Sequence, residues 1–167
     1  MTDKNIVLVG FMGSGKSIIA RKLSEQLKVE VIATDDLIEA RAGKSIEDIF
    51  KAHGEPYFRN LESEIIKEVS LRRGSIIDCG GGVVLSPKNL QYLKTNGIVF
   101  YLQATPEVIY QRIKNESHRP LLKTPDPLGS IKELYQQRLP LYNEADFVID
   151  ANDASIEGPI VEILKKI

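Results

Sequence analysis

At 167 residues, with 43% hydrophobic and 27% charged side chains, the chain has the size and composition of one globular unit with a sizeable core. Its formal net charge of -1 gives no overall attraction to nucleic acid or to an anionic membrane, so any anionic ligand must be held by locally placed cations. One cysteine, Cys79, excludes an internal disulfide, and His53 and His118 fit no metal-ligand spacing.

The first apolar run, Ile6-Val7-Leu8-Val9, predicts a buried strand and is preceded by no basic, apolar leader. No apolar run approaches membrane-spanning length, and the expectation is a cytoplasmic protein. Directly after the strand, Gly10-Phe11-Met12-Gly13-Ser14-Gly15-Lys16-Ser17 fits G-x-x-x-x-G-K-[ST]. Glycines there let the backbone approach an anion, and successive N–H groups with a helix N-terminus face the phosphates. Lys16 can reach the outer phosphates and the Ser17 hydroxyl can ligate magnesium. The motif therefore predicts a site for a nucleoside triphosphate.

Ile19, Ala20, Leu23 and Leu27 then recur at helical spacing, and Val29–Ile32 predicts a second strand. Thr34-Asp35-Asp36 follows it. Ligands in open α/β sheets bind beyond the carboxyl ends of strands, so these carboxylates are expected to face a crevice. Leu37, Ile38 and Ala42 predict a short helix, and Ser45 with Asp48 resembles a capping box. On the next helical pattern, Glu62 falls in the sector of Phe58, Leu61, Ile65 and Val69, with Arg59 at its edge. A carboxylate in an apolar stripe is costly unless partnered, and Arg59 is the available partner.

Ile76-Ile77 marks a third strand, placing Cys79 in the core, and Gly80-Gly81-Gly82 follows as backbone that something must approach closely. Ser86-Pro87 and Thr105-Pro106 each place a capping hydroxyl before a proline at the first helical position. Between them, Ile98–Leu102 predicts the fourth strand. Residues 114–129 carry Lys114, His118, Arg119 and Lys123 among Pro120, Pro125, Pro127 and Gly129, and predict a long loop rather than a helix. A cationic loop of that length reads as a lid over a triphosphate. Phe147–Ile149 is the fifth strand. Strands alternating with helices predict an α/β domain of three layers, α/β/α, with right-handed crossovers.

In their order along the chain, these elements resemble the shikimate kinases of the P-loop, nucleoside-monophosphate-kinase-like branch. The motifs are Thr34-Asp35, Phe58-Arg59 with Glu62, Gly80-Gly81-Gly82, Arg119-Pro120-Leu121-Leu122 and Arg138-Leu139-Pro140-Leu141-Tyr142. The resemblance implies a five-stranded parallel sheet in order 2-3-1-4-5 with a mobile lid (about 112–128) and a helical substrate region (about 35–62). It implies transfer of the γ-phosphate of ATP, with Mg2+, to the 3-hydroxyl of shikimate. Chain length predicts a single domain spanning 1–167, and the lack of a surplus apolar helix face predicts a monomer. Asp35 is then the group at the reacting hydroxyl, Arg59 and Arg138 grip the shikimate carboxylate, and Glu62 orients the ring. Gly80, Gly81 and Gly82 approach the substrate hydroxyls. Gly13, Ser14, Gly15, Lys16, Ser17, Ile18, Arg112 and Arg119 bind ATP, with Arg112 near adenine and Arg119 on the lid. Lys16, Asp35 and Arg119 carry the chemistry, and Ser17 is the metal residue.

Two departures stand out. Position 33, where the family usually has an aspartate near magnesium, is Ala33, and Asp36 is the neighbouring carboxylate that could substitute. The stretch Asp150-Ala151-Asn152-Asp153-Ala154-Ser155 lacks the basic residue and proline often found around adenine. Alternative readings are another small-molecule kinase, such as a gluconate or nucleotide kinase, and a catalytically weak nucleotide-binding paralogue.

Overall fold

The computed structural model describes residues 3–167. Five parallel strands form one sheet: β1 (Asn5–Val9), β2 (Val31–Ala33), β3 (Ile76–Asp78), β4 (Gly97–Gln103) and β5 (Phe147–Asp150). Their spatial order is β2-β3-β1-β4-β5, the order that the family resemblance implies. The chain reverses direction across the sheet at β1, between β3 and β4. A crevice opens there at the carboxyl ends of the strands.

Side-chain alternation along the strands divides the core in two. Val7, Val9, Ile77, Val99 and Tyr101 face one side, while Ile6, Leu8, Ile76, Phe100 and Leu102 face the other. The second side is covered by α1 (Lys16–Leu27) and α7 (Glu157–Leu164) through Ile19, Leu23, Ile160 and Ile163. The first is covered by α3 (Ile46–Val69), α4 (Pro87–Asn96), α5 (Pro106–Ile113) and α6 (Pro127–Tyr142). Strands buried on both faces explain the runs without polar alternation. Cys79 lies in this core, 2% exposed.

The helix starts follow their local chemistry, with three corrections. Thr105 caps α5 by accepting from Val108 N–H, and Ser45 caps α3 by accepting from Asp48 N–H at 3.1 Å. Ser86 starts α4 without any side-chain cap, so its proline alone marks the boundary. α2 (Thr34–Ala42) starts ahead of the predicted Leu37, so Asp35 and Asp36 both lie in its first turn. The predicted loop 114–129 is shorter: Pro127 takes the first position of α6 and Asp126 caps it by accepting from Gly129 N–H. At its other end Arg112 belongs to the last turn of α5, so the irregular stretch is 114–126, with one 3-10 turn at Pro120–Leu122.

One feature escapes the periodicity of α3. Gly54 adopts φ 78° and ψ 175°, interrupting the helix just before Pro56. A glycine at positive φ with extended ψ, followed by a proline two residues on, ends one helix and starts another. The break lets the second half re-aim, and that half carries Arg59 and Glu62 to the crevice.

Candidate active site

The phosphate cradle is built from strained glycines. Gly10, Gly13 and Gly15 all have positive φ, and a Cβ at Gly13 would stand 2.7 Å from the Ile113 side chain. Gly15 is the N-cap of α1, makes no side-chain cap, and is followed by no acidic residue in the first turn. The N-terminal N–H groups of α1 are thus left for an anion. Lys16 is 8% exposed and folds back to donate to the carbonyls of Gly10 at 2.8 Å and Phe11 at 3.1 Å. Burial pulls its ammonium below the usual lysine range, opposed by the charges of Asp78 and Asp35. The buried Ser14 hydroxyl has no protein partner, while Ile18 is 56% exposed on the outer face of α1.

Opposite the cradle stands Asp78, which the sequence reading passed over. It ends β3, and its Oδ2 accepts a 2.6 Å hydrogen bond from the Ser17 hydroxyl. The signal was present: an apolar strand ending in aspartate next to the phosphate loop. Burial raises its carboxyl, offset by the Ser17 hydrogen bond and by Lys16. Asp35, at the start of α2, touches Gly80 so closely that a Cβ there would lie 2.6 Å from Asp35 Oδ1. Its carboxyl is raised mainly by desolvation, against the lowering pull of Lys16.

Side chains from α2, α3 and α6 gather at the glycine triplet. A Cβ at Gly81 would lie 3.8 Å from Arg138 Nη1, and one at Gly82 would land on the Arg59 guanidinium. The two arginines, 79 residues apart in sequence, therefore converge on neighbouring backbone units. Arg59 is held by Glu62 at 2.9 Å and by Glu55 at 3.3 Å. Glu62 is 1% exposed, and desolvation raises its carboxyl although Arg59 pulls it down. Arg138 is 9% exposed and lies over the Phe11 ring at 5.7 Å. Its Nε has no hydrogen-bond partner, and among the described residues no carboxylate comes within ion-pair distance of it. Tyr142, fully buried, donates its hydroxyl proton to the Gly81 carbonyl at 2.5 Å and pins the triplet to α6.

The N–H of Gly80 is already taken by the Thr34 hydroxyl at 3.2 Å, so Gly80 serves as close-approach backbone rather than as a free donor. Among the described residues Gly81 and Gly82 keep their N–H groups without an acceptor. Arg112 donates to the carbonyls of Gly13 (3.3 Å), Ala151 (2.7 Å) and Asp153 (2.9 Å). It ties the cradle to the segment after β5 through backbone contacts. On the 114–126 segment, Arg119 pairs with Glu116 and is near enough for its charge to oppose that of Lys16.

A phosphate cradle facing two convergent guanidinium groups, at the switch point of a parallel sheet, defines a P-loop kinase acting on a small anionic acceptor. The shikimate kinase family model matches residues 12–167. A shikimate kinase of Caldanaerobacter subterraneus subsp. tengcongensis is 44% identical over 162 residues, covering 97% of this chain and 95% of its own. Two solved structures align closely. The shikimate kinase from Acinetobacter baumannii in complex with shikimate has a TM-score of 0.88 at 35% identity, over 99% of this chain and 91% of that one. The Aquifex aeolicus shikimate kinase has a TM-score of 0.83 at 36% identity, over 96% and 94%. The chain belongs to the shikimate kinase family and is an ATP-using kinase. Among the described residues no helix is long and apolar enough to cross a membrane.

Proposed function

We propose that the chain transfers the γ-phosphoryl group of ATP to the 3-hydroxyl of shikimate, giving shikimate 3-phosphate and ADP. Arg138 is the observation that carries this reading. A buried guanidinium without a carboxylate partner is costly, and the cost is recovered when an anionic ligand supplies one. With Arg59 beside it at the glycine triplet, the pair suits a single planar carboxylate. Glu62 and the free N–H groups of Gly81 and Gly82 orient the ring hydroxyls. Asp35 accepts the proton of the reacting hydroxyl as its oxygen forms a bond to the γ-phosphorus and the bond to the β–γ bridging oxygen breaks. Its raised carboxyl makes it a better acceptor than an ordinary aspartate.

Phosphoryl transfer needs alignment and charge neutralisation more than covalent chemistry. Lys16, leaving the Gly10 and Phe11 carbonyls, neutralises the outer phosphates, and the N–H groups of Gly13 to Ile18 hold the rest of the chain of phosphates. Ser17 and Asp78 are hard oxygen donors side by side, a set that fits Mg2+. When bound, Mg2+ supplies further neutralisation of the β- and γ-phosphates. The 114–126 segment acts as a lid that carries Arg119 onto the phosphates and excludes water, favouring the alcohol over hydrolysis. Arg112 fixes the adenine-side wall, α2 and the second half of α3 carry the acceptor groups, and the whole works as a cytoplasmic monomer of one domain.

The test is ADP release from the purified chain with ATP and Mg2+. Release should depend on shikimate and yield shikimate 3-phosphate by mass spectrometry. Release driven only by gluconate or a nucleoside monophosphate would point to another acceptor, and sedimentation at working concentration checks the monomer.

A further inference from the structure

We propose that Asp78 is the protein carboxylate that holds the nucleotide's divalent cation together with Ser17, standing in for a side chain that position 33 lacks. Three observations converge on it. Asp78 is 9% exposed, and the Ser17 hydroxyl at 2.6 Å is its one side-chain hydrogen-bond partner among the described residues. Among the described residues its second carboxylate oxygen receives no donor and no lysine, arginine or histidine lies within ion-pair distance of it, although the Lys16 charge bears on it from further off. A carboxylate so buried and so poorly matched is costly unless a positive charge comes to it.

The second observation is register. Ala33 of β2 pairs directly with Asp78 of β3. In-register residues of parallel neighbours project from the same face, about 4.8 Å apart. A carboxylate at either position therefore serves the same corner of the crevice, and this chain places it on β3. The third observation separates Asp78 from its neighbours. Asp35 and Asp36 are both exposed residues in the first turn of α2, with Asp35 packed against Gly80, whereas Asp78 is buried at the end of β3. Among the three, Asp78 is the one bonded to the hydroxyl of the phosphate loop.

Among the described residues no group of three or more His, Cys, Asp or Glu side chains forms a metal cage. That matches a cation such as Mg2+, which is held by one or two protein oxygens together with substrate phosphates and water. The proposal rests on the phosphate loop as a nucleotide site and not on the identity of the acceptor.

Mn2+ is the probe, titrated by electron paramagnetic resonance into the full chain with the non-hydrolysable analogue AMP-PNP and without shikimate. Asp78→Asn keeps the shape and the Ser17 hydrogen bond while removing the charge. It should weaken Mn2+ about 10- to 100-fold, with AMP-PNP affinity in EDTA unchanged within about twofold. Ala33→Asp introduced into Asp78→Ala should recover most of the lost affinity. Undiminished Mn2+ binding by Asp78→Asn overturns the proposal, and so does an equal loss of AMP-PNP in EDTA. Failure of Ala33→Asp to recover Mn2+ binding overturns the argument from register. Should Asp78→Asn melt below the parent chain, Asp78→Ser replaces it under the same criteria. Because neither shikimate nor turnover enters the measurement, a different acceptor alcohol would leave the result unaltered.

Discussion

Single side chains at this site are held in states that cost folding energy, and their costs are informative. Asp35 and Glu62 both have carboxyls raised chiefly by burial. For Asp35 the folded value lies above the unfolded one, so the protonated form is favoured by folding. Its contribution to stability is full below the unfolded value, near 3.9, and is lost as pH rises through the folded value. Because Asp35 is an exposed residue in the first turn of α2, solvent screening keeps this cost small, and Asp35→Asn is expected to raise the melting temperature only slightly at neutral pH, with the gain disappearing in acid. The same substitution should reduce kcat by about a hundredfold or more. In the parent chain kcat should fall on the acid side with a midpoint above the ordinary aspartate range; a midpoint at that range would remove Asp35 from the proton's path. Arg138 carries a parallel cost, being buried without a carboxylate. Losing a charge-assisted contact is worth roughly 1.5–3 kcal/mol, so Arg138→Ala should raise KM for shikimate about ten- to hundredfold. KM for ATP should hardly change, and equal losses for both substrates would dissolve the clamp.

At the scale of elements, three close contacts gather at the glycine triplet. Gly80 admits Asp35, Gly81 admits Arg138 and Gly82 admits Arg59. None of these glycines is among those with positive φ; closeness excludes a side chain at Gly80 and Gly82, where a Cβ would stand 2.6 Å from Asp35 and would land on Arg59, while Gly81 would hold one in ordinary contact. Gly82→Ala should consequently fold well, its φ of -94° being open to alanine. Its new methyl would displace the Arg59 guanidinium, which is the far end of a flexible side chain. The expected outcome is a rise of roughly tenfold or more in KM for shikimate with little change in melting temperature. A variant with unchanged KM would separate Arg59 from substrate. The interruption of α3 at Gly54 belongs to this scale too, because it aims the arginine at the triplet.

Across the whole molecule, the two core layers grip the sheet from both faces and leave the 114–126 segment with local hydrogen bonds. Its backbone is tied by Glu116 to Ile113, Leu122 to Arg119 and Lys123 to Pro120. Segments with few long-range contacts open most easily, and such segments supply lids. Amide exchange in 114–126 should be fast in the free chain and slow markedly with AMP-PNP and shikimate together. Equal exchange in both states would deny the segment a closing role.

Much of this architecture was legible in the linear chain because local rules wrote it. Strand order came by way of the family pattern, and the strands themselves from short β-branched runs covered on both faces. The phosphate cradle was readable because its glycines obey a backbone constraint at fixed spacing. Arg59 and Glu62 were readable because they sit three apart on one helix. What the sequence determined by itself was therefore whatever depends on neighbours within a turn or a strand. Asp78 beside Ser17 and opposite Ala33, the Tyr142 bond to Gly81, and Arg138 without a partner were decided only by tertiary structure. The three pairings join groups 45 or more residues apart, and pairings of that range follow from how strands register and helices pack rather than from any local spacing.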